Sequence, residues 1–264
     1  MDDTMKTIRS YLRVLKLFHM EKALDAELAR AAAQGVAASS VIERLLAIEA
    51  GARIEGRIER RIREARLPER KLLEDFDFAF QKGVDKSQIM ELATLGFVER
   101  KQGVILAGSS GTGKSHMAKA LLLLGCRKLY RCRYTTASAM LGDLMGSLCD
   151  GTVDRKLKEY TKPDILLIDE VGFDRIEQES ARNASLFFKV IDARYCKVST
   201  ILTTNISFTE LGDYLGDPVI TTCLVDRMIH HSIIININGP SWRMFESSKL
   251  NRQSKAGASK GDHD

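Results

Sequence analysis

Proline is scarce in this chain, with 4 among 264 residues; aromatic side chains make up 6%, and tryptophan occurs once. Against that background, 44% hydrophobic and 28% charged residues give an ordinary globular composition, which excludes collagen-like, low-complexity and wholly disordered readings. No apolar run approaches the roughly 20 residues a membrane span needs. The acidic start MDDTMK, with no apolar stretch after it, does not read as a secretory signal. The cysteines Cys126, Cys132, Cys149, Cys196 and Cys223 form no CxxC pair. Odd in number and widely spaced, they are expected as reduced thiols of a cytoplasmic protein, not as disulfides or zinc ligands. Histidines point to no metal site either: His230 and His231 are adjacent, so on a strand their rings would face opposite sides. What remains is a chain long enough to bury a core, and at roughly 150 residues per domain it holds one large domain and a smaller one.

Net charge is only +5, so its distribution matters more than its size. Between Arg53 and Lys71, eight basic residues (Arg53, Arg57, Arg60, Arg61, Arg63, Arg66, Arg70, Lys71) meet four acids (Glu55, Glu59, Glu64, Glu69), which leaves +4 there. Met5, Ile8, Leu12 and Leu15 recur at the spacing of one helix face. A small-residue stretch around Gly35 interrupts the pattern, and Ser40 with Glu43 forms a capping-box signature that predicts a new helix. That helix continues through Ile54, Ile58, Ile62 and Ala65 and is expected to end by Pro68. Arg53, Arg57 and Arg60, with Arg61 beside them, form a strip next to the isoleucines. They suit nucleic-acid phosphates, though charge alone favours a solvated face held by local pairs such as Glu59 with Arg63. No aromatic residue is interleaved, so base stacking is not indicated.

LPERKLLEDFDF, from Leu67, reads as a linker that docks on the next domain. Val104 to Ala107 is a short buried-strand run, and Gly108 to Ser115 then reads GSSGTGKS, with every fixed position of a phosphate loop. Gly108, Gly111 and Gly113 let backbone amides, with those of Ser109, Ser110 and Thr112, approach phosphate oxygens. Lys114 reaches the terminal phosphates, Ser115 offers a hydroxyl to Mg²⁺, and the apolar helix after it directs its positive end at the anion. His116 counts with this loop, either packing or facing solvent. A second strand, Ile165 to Ile168, leads to Asp169, suited to the magnesium shell, and Glu170, suited to orienting a water. A third strand, Ser199 to Thr204, ends at Asn205, which either positions the same water or caps a turn. Arg227 precedes a strand at Ile233 to Ile237; it could serve a neighbouring subunit's nucleotide or pair locally with Asp226. From Gln253 onward the composition predicts no fixed structure.

GSSGTGKS, ILLIDE, STILTTN and LVDRMIHH, in this order, resemble an AAA+ ATPase. LPERKLLEDFDF, GDPVI and the closing GPSWR resemble, more narrowly, the IstB family of helper proteins in bacterial insertion-sequence transposition, related to DnaC and DnaA. The resemblance spans roughly Leu67 to Phe245. It implies an α/β fold: an AAA+ phosphate-loop domain of three layers with a parallel central sheet, preceded by a small all-helical domain. The implied boundaries are 1–67 for a helical DNA- or partner-binding domain, 68–80 for the linker, 81–248 for the ATPase domain and 249–264 for a tail. Lys114 and Ser115 match Walker A, Asp169 and Glu170 Walker B, Asn205 sensor 1, Arg227 an arginine finger and Arg243 a sensor-2-like arginine. The chain has no room for a full helical lid around Arg243. Implied cofactors are ATP and Mg²⁺; implied partners are double-stranded DNA, an IstA-like transposase and further copies of the chain, with no membrane. A helicase loader of the DnaC type is the alternative. A small-molecule kinase is disfavoured by Glu170 beside Asp169, by Asn205 and by the N-terminal helices.

Overall fold

The computed structural model of the protein describes residues 3–173, 181–207, 210 and 217–249. The tail from Gln253 onward and Gly216 of GDPVI therefore lie outside the described residues. Internal contacts divide the chain into two compact units, Met1–Arg60 and Arg61–Asp264.

In the first unit, α1 (Asp3–Val14) and α2 (Phe18–Gln34) pair with α3, which begins at Ala38 and extends to Glu64. Leu12, Leu24, Val41 and Leu45 form its core, with Met5 and Ile8 packed against them. Leu15 and Ile54, expected on the apolar faces, are instead exposed. Gly35, at φ 61°, ends α2 in the left-handed conformation that glycine adopts without strain. The Ser40–Glu43 capping box does not form: α3 starts earlier, and the Ser40 amide donates to the Ala37 carbonyl from inside the first turn. The cap that does form joins distant residues. The carboxylate of Glu49, only 4% exposed, accepts the amides of His19 and Met20 at the start of α2 and the Arg53 guanidinium.

The second unit is a parallel sheet with helices. After α3, Arg66 turns the chain at φ 53°, two residues before Pro68. Then come α4 (Lys86–Ala93), α5 (Gly96–Glu99), β1 (Gly103–Gly108), α6 (Lys114–Arg127), β2 (Cys132–Thr136), α7 (Ala137–Cys149), α8 (Val153–Thr161), β3 (Ile165–Val171), α9 (Ala181–Arg194), β4 (Ser199–Thr204), α10 (Pro218–His230) and β5 (Ser232–Ile237). A last helix covers residues 242–249. Strand order is β2-β3-β4-β1-β5, every pair parallel. β1 and β3 are nearly unbroken apolar runs because a parallel sheet is covered on both faces, while β4, STILTT, sets Ile201 and Leu202 among hydroxyl side chains. Ile105, Leu166, Ile168 and Leu202 enter one core with residues of α7, α8, α9 and α10; the side chains alternating with them turn to the other face. There α6 crosses all of β1 to β4, with Met117, Ala118, Ala120, Leu121, Leu122 and Leu123 buried. The carboxyl ends of β1, β3 and β4 are thereby brought side by side at the sheet edge where such folds bind ligands.

His230 ends α10 and His231 is its C-cap, so neither lies on a strand. Arg227, also on α10, pairs not with its neighbour Asp226 but with Asp192 of α9, Nε to Oδ1 3.0 Å, with its guanidinium over the Phe188 ring.

Candidate nucleotide site

Residues 109–113 turn from β1 into α6, and a cavity of about 560 Å³ opens above them. Gly113, the N-cap of α6, sits at φ 92°, and a Cβ there would stand 2.4 Å from the Phe76 ring. Only glycine therefore lets the segment around Phe76 close over the loop. The linker is also bound by Lys119 Nζ to Glu69 (3.0 Å) and by the His116 ring, whose Nε2 donates to the Leu72 carbonyl at 2.7 Å. His116 thus packs, with its ring 5.6 Å from that of Phe76.

Lys114 is 8% exposed, and its ammonium donates to the carbonyls of Gly108 and Ser109, both at 2.7 Å. Burial holds it below the ordinary 10.5; Arg243 pushes the same way and Asp169 opposes. Asp169, 1% exposed, lies at the end of β3 and collects donors: Ser115 Oγ at 2.7 Å and Thr203 Oγ1 at 2.5 Å on one oxygen, Tyr134 OH at 3.4 Å on the other. Burial, with the charges of Asp169 and Glu170 nearby, raises the Tyr134 phenol well above its ordinary value, so it stays a donor. Lys119 Nζ stands 3.9 Å from the second Asp169 oxygen and so bridges it to Glu69 of the linker.

Glu170 occupies a break in the β3–β4 register between Ile168 and Val171. Its φ of 62° is left-handed, and its amide donates to Thr203 Oγ1 at 2.9 Å. Such a bulge re-aims a side chain: Glu170 is exposed and lines the cavity while Asp169 stays beneath it. Asn205 and Arg243 line the same cavity, together with Ser110, Gly111, Thr112, Gly113, Lys114 and Ser115.

Arg227 is not among the lining residues. Of the arginine strip, Arg53 bonds to Glu49 and to the Lys16 carbonyl, and Arg61 to Glu64; Arg57 and Arg60 are exposed. Sequence reasoning missed Phe76, Phe80, Gln81, Lys119, Tyr134, Thr203 and Trp242. Lys119 had a signal, since it follows Ser115 by four residues and so shares its helix face. Thr203 sits two residues before Asn205. Gln81 and Trp242 had none, because their contacts are made by segments remote in the chain.

Amides at the start of a helix and the buried Lys114 beside them suit a phosphorylated anion. Comparison with known proteins agrees. Residues 10–250 match the family model described as IstB-like ATP binding protein. The chain is 36% identical over 245 residues to the ATP-binding protein of insertion sequence IS21 from Pseudomonas aeruginosa, covering 93% of this chain and 91% of that one. It is 35% identical over 239 residues to that of IS5376 from Geobacillus stearothermophilus, covering 90% and 94%. Among solved structures, the replication initiator DnaA bound to AMPPCP and single-stranded DNA aligns with a TM-score of 0.56 at 22% identity. That alignment covers 70% of this chain and 56% of DnaA, so the chain spans little more than half of DnaA. DnaI aligns with a TM-score of 0.55 at 22% identity, over 64% of this chain and 92% of its own. These two likenesses are of fold, the AAA+ fold. Matched from residue 10 to 250 by the family model and nearly end to end by its insertion-sequence relatives, the chain belongs to the IstB-like ATP-binding family.

Proposed function

We propose that the chain is an ATPase that assembles with ATP on duplex DNA, selects and remodels the target, and stimulates a partner transposase. The observation that carries this reading is the meeting of Ser115, Asp169 and Thr203 at hydrogen-bond distance below a cavity lined by the phosphate loop, Glu170, Asn205 and Arg243. Ser115 Oγ and Asp169 Oδ1, 2.7 Å apart, are hard oxygen donors that fit magnesium. When bound, that ion supplies charge neutralisation at the β- and γ-phosphate oxygens.

The chain's own residues do the rest. Lys114 exchanges its two carbonyl partners for oxygens of the terminal phosphates. Glu170 orients a water and takes its proton as the oxygen attacks the γ-phosphorus; the bond to the β-phosphate oxygen breaks and ADP leaves. Asn205 holds the same water. Arg243 stabilises the terminal phosphates from the C-terminal side. Arg227 acts from a neighbouring copy, where charge at the γ-phosphate builds up, so the site is complete only between subunits. Arg53, Arg57, Arg60 and Arg61 contact DNA phosphates from the N-terminal domain, 1–67; with 81–248 as the ATPase domain, nucleotide-driven assembly lines up many weak patches on one duplex. A DNA partner implies the cytoplasm.

Sedimentation of the protein with duplex DNA, with and without AMPPCP and magnesium, tests the reading. Large protein–DNA assemblies that need the nucleotide are expected. A monomer in every condition, or DNA affinity indifferent to nucleotide, overturns it.

A further inference from the structure

Gln81 comes just after the linker and is 2% exposed. Its amide nitrogen donates to two carbonyls at 3.2 Å each: Thr112 in the phosphate loop, 31 residues away, and Pro240 in the turn after β5, 159 residues away. Both partners are acceptors, so the amide orientation is fixed by chemistry. The other end, Oε1, is buried and has no hydrogen-bond partner among the described residues. It lies against Gly239, where a Cβ would come within 1.5 Å of it. Beside it, a Cβ on Gly83 would stand 1.7 Å from the Asn238 carbonyl oxygen. Gly239 thus keeps room for the Gln81 amide itself, and Gly83 for backbone to meet backbone beside it. A residue selected for stability alone would not leave an acceptor buried and unsatisfied.

The joined segments share one purpose. Thr112 belongs to the loop that holds phosphates. Pro240 leads through Ser241 and Trp242 into Arg243, and the Trp242 amide closes back on the Gly111 carbonyl at 3.0 Å. Arg243 lines the cavity and stands near enough to Lys114 to depress its basicity. We propose that Gln81 is the positioning residue that sets Arg243 over the phosphate loop, so that linker, loop and C-terminal arginine move as one body. Gln81 touches no reacting atom; it acts through Arg243. The inference rests on the proposed reading of the cavity as a nucleotide site.

A double-mutant cycle tests it, with Gln81→Met, which keeps the volume and removes the fork, Arg243→Ala, and both together. ATP turnover, KM and AMPPCP affinity by calorimetry are measured on protein whose melting temperature and circular dichroism confirm folding. Each single change is expected to lower kcat on the order of tenfold to a hundredfold with little change in KM. The double variant should be no slower than Arg243→Ala alone. Gly239→Ala, which displaces the Gln81 amide from its other side, repeats the cycle if Gln81→Met fails to fold. Losses that multiply, or a Gln81→Met effect confined to KM, overturn the inference. A wild-type chain that binds AMPPCP without hydrolysing ATP refutes the ATPase reading instead, and the cycle in AMPPCP affinity then decides on Gln81.

Discussion

Ser115 Oγ donates to Asp169 Oδ1 across 2.7 Å, joining the start of α6 to the end of β3 over 54 residues of sequence. The same carboxylate oxygen also accepts Thr203 Oγ1. Asp169→Asn keeps an acceptor for both hydroxyls but loses the charge. The fold should survive with a loss of about 1–3 kcal/mol. Magnesium should no longer strengthen ATP binding, which calorimetry with and without the ion will show.

Glu170 faces the cavity from a strained backbone that costs about 1–3 kcal/mol, while Asp169 lies buried below it. Glu170→Gln preserves shape and hydrogen bonding but cannot take a proton. ATP should bind as in the wild type and turn over about 10² to 10⁴ times more slowly. Phosphate release under single turnover is the measurement, and normal release excludes Glu170 from the role.

Arg227 is held by Asp192 and Phe188 outside the cavity of its own chain. Arg227→Ala and Lys114→Ala should each be inactive alone. Mixed, they should recover part of the wild-type rate, because each supplies what the other lacks at a shared site. A finger is worth about 10³ to 10⁵ in rate elsewhere, so recovery will be plain. Inactivity of the mixture would mean that Arg227 acts within its own chain or not at all.

Gly113→Ala places a methyl group where the Phe76 ring stands and forces a side chain to φ 92°. A loss of at least about 1–3 kcal/mol is expected from the backbone alone. Adding Phe76→Leu should restore only the steric part. Urea unfolding of the single and double variants separates the two contributions.

Acid should weaken the N-terminal helices through Glu49. Partial burial pushes the Glu49 carboxyl up, but the Arg53 hydrogen bond and the amides of Met20 and His19 outweigh it and hold the group below its ordinary 4.5. A carboxyl lowered in the folded state stabilises fully above its unfolded value and loses that stabilisation as pH falls through the folded one. Melting temperatures of wild type and Glu49→Gln should therefore differ at neutral pH and converge below 4.5.

β1, β3 and β5 were legible as runs of Val, Ile and Leu, and β4, STILTT, as β-branched residues around Ile201 and Leu202. β2 was not: CRYTT carries Arg133, which is buried against Tyr160 and Glu159 and so breaks the pattern. The phosphate loop was legible because its backbone turns are local, with Gly108, Gly111 and Gly113 all at positive φ within eight residues, whereas the groups that crowd those glycines, Ile237, Ser241 and Phe76, are remote in the chain. Ser40 misled because a capping signature competes with whatever the preceding turn can do, and Ala37 took the first bond. Arg227 chose Asp192 over Asp226 because residues side by side on a helix point apart. Asp169 and Glu170 were found as a pair, but the bulge that sends one down and the other out has no signature in sequence.

The single indole of the chain, Trp242, meets the Phe80 ring edge-on at 4.9 Å and is tied by its backbone to the phosphate loop. Nature has thus installed a fluorophore at the rim of the cavity, 41% exposed and with no second indole to dilute its signal. Its colour and quenching should report occupancy of the cavity in real time, without a dye and without altering a residue.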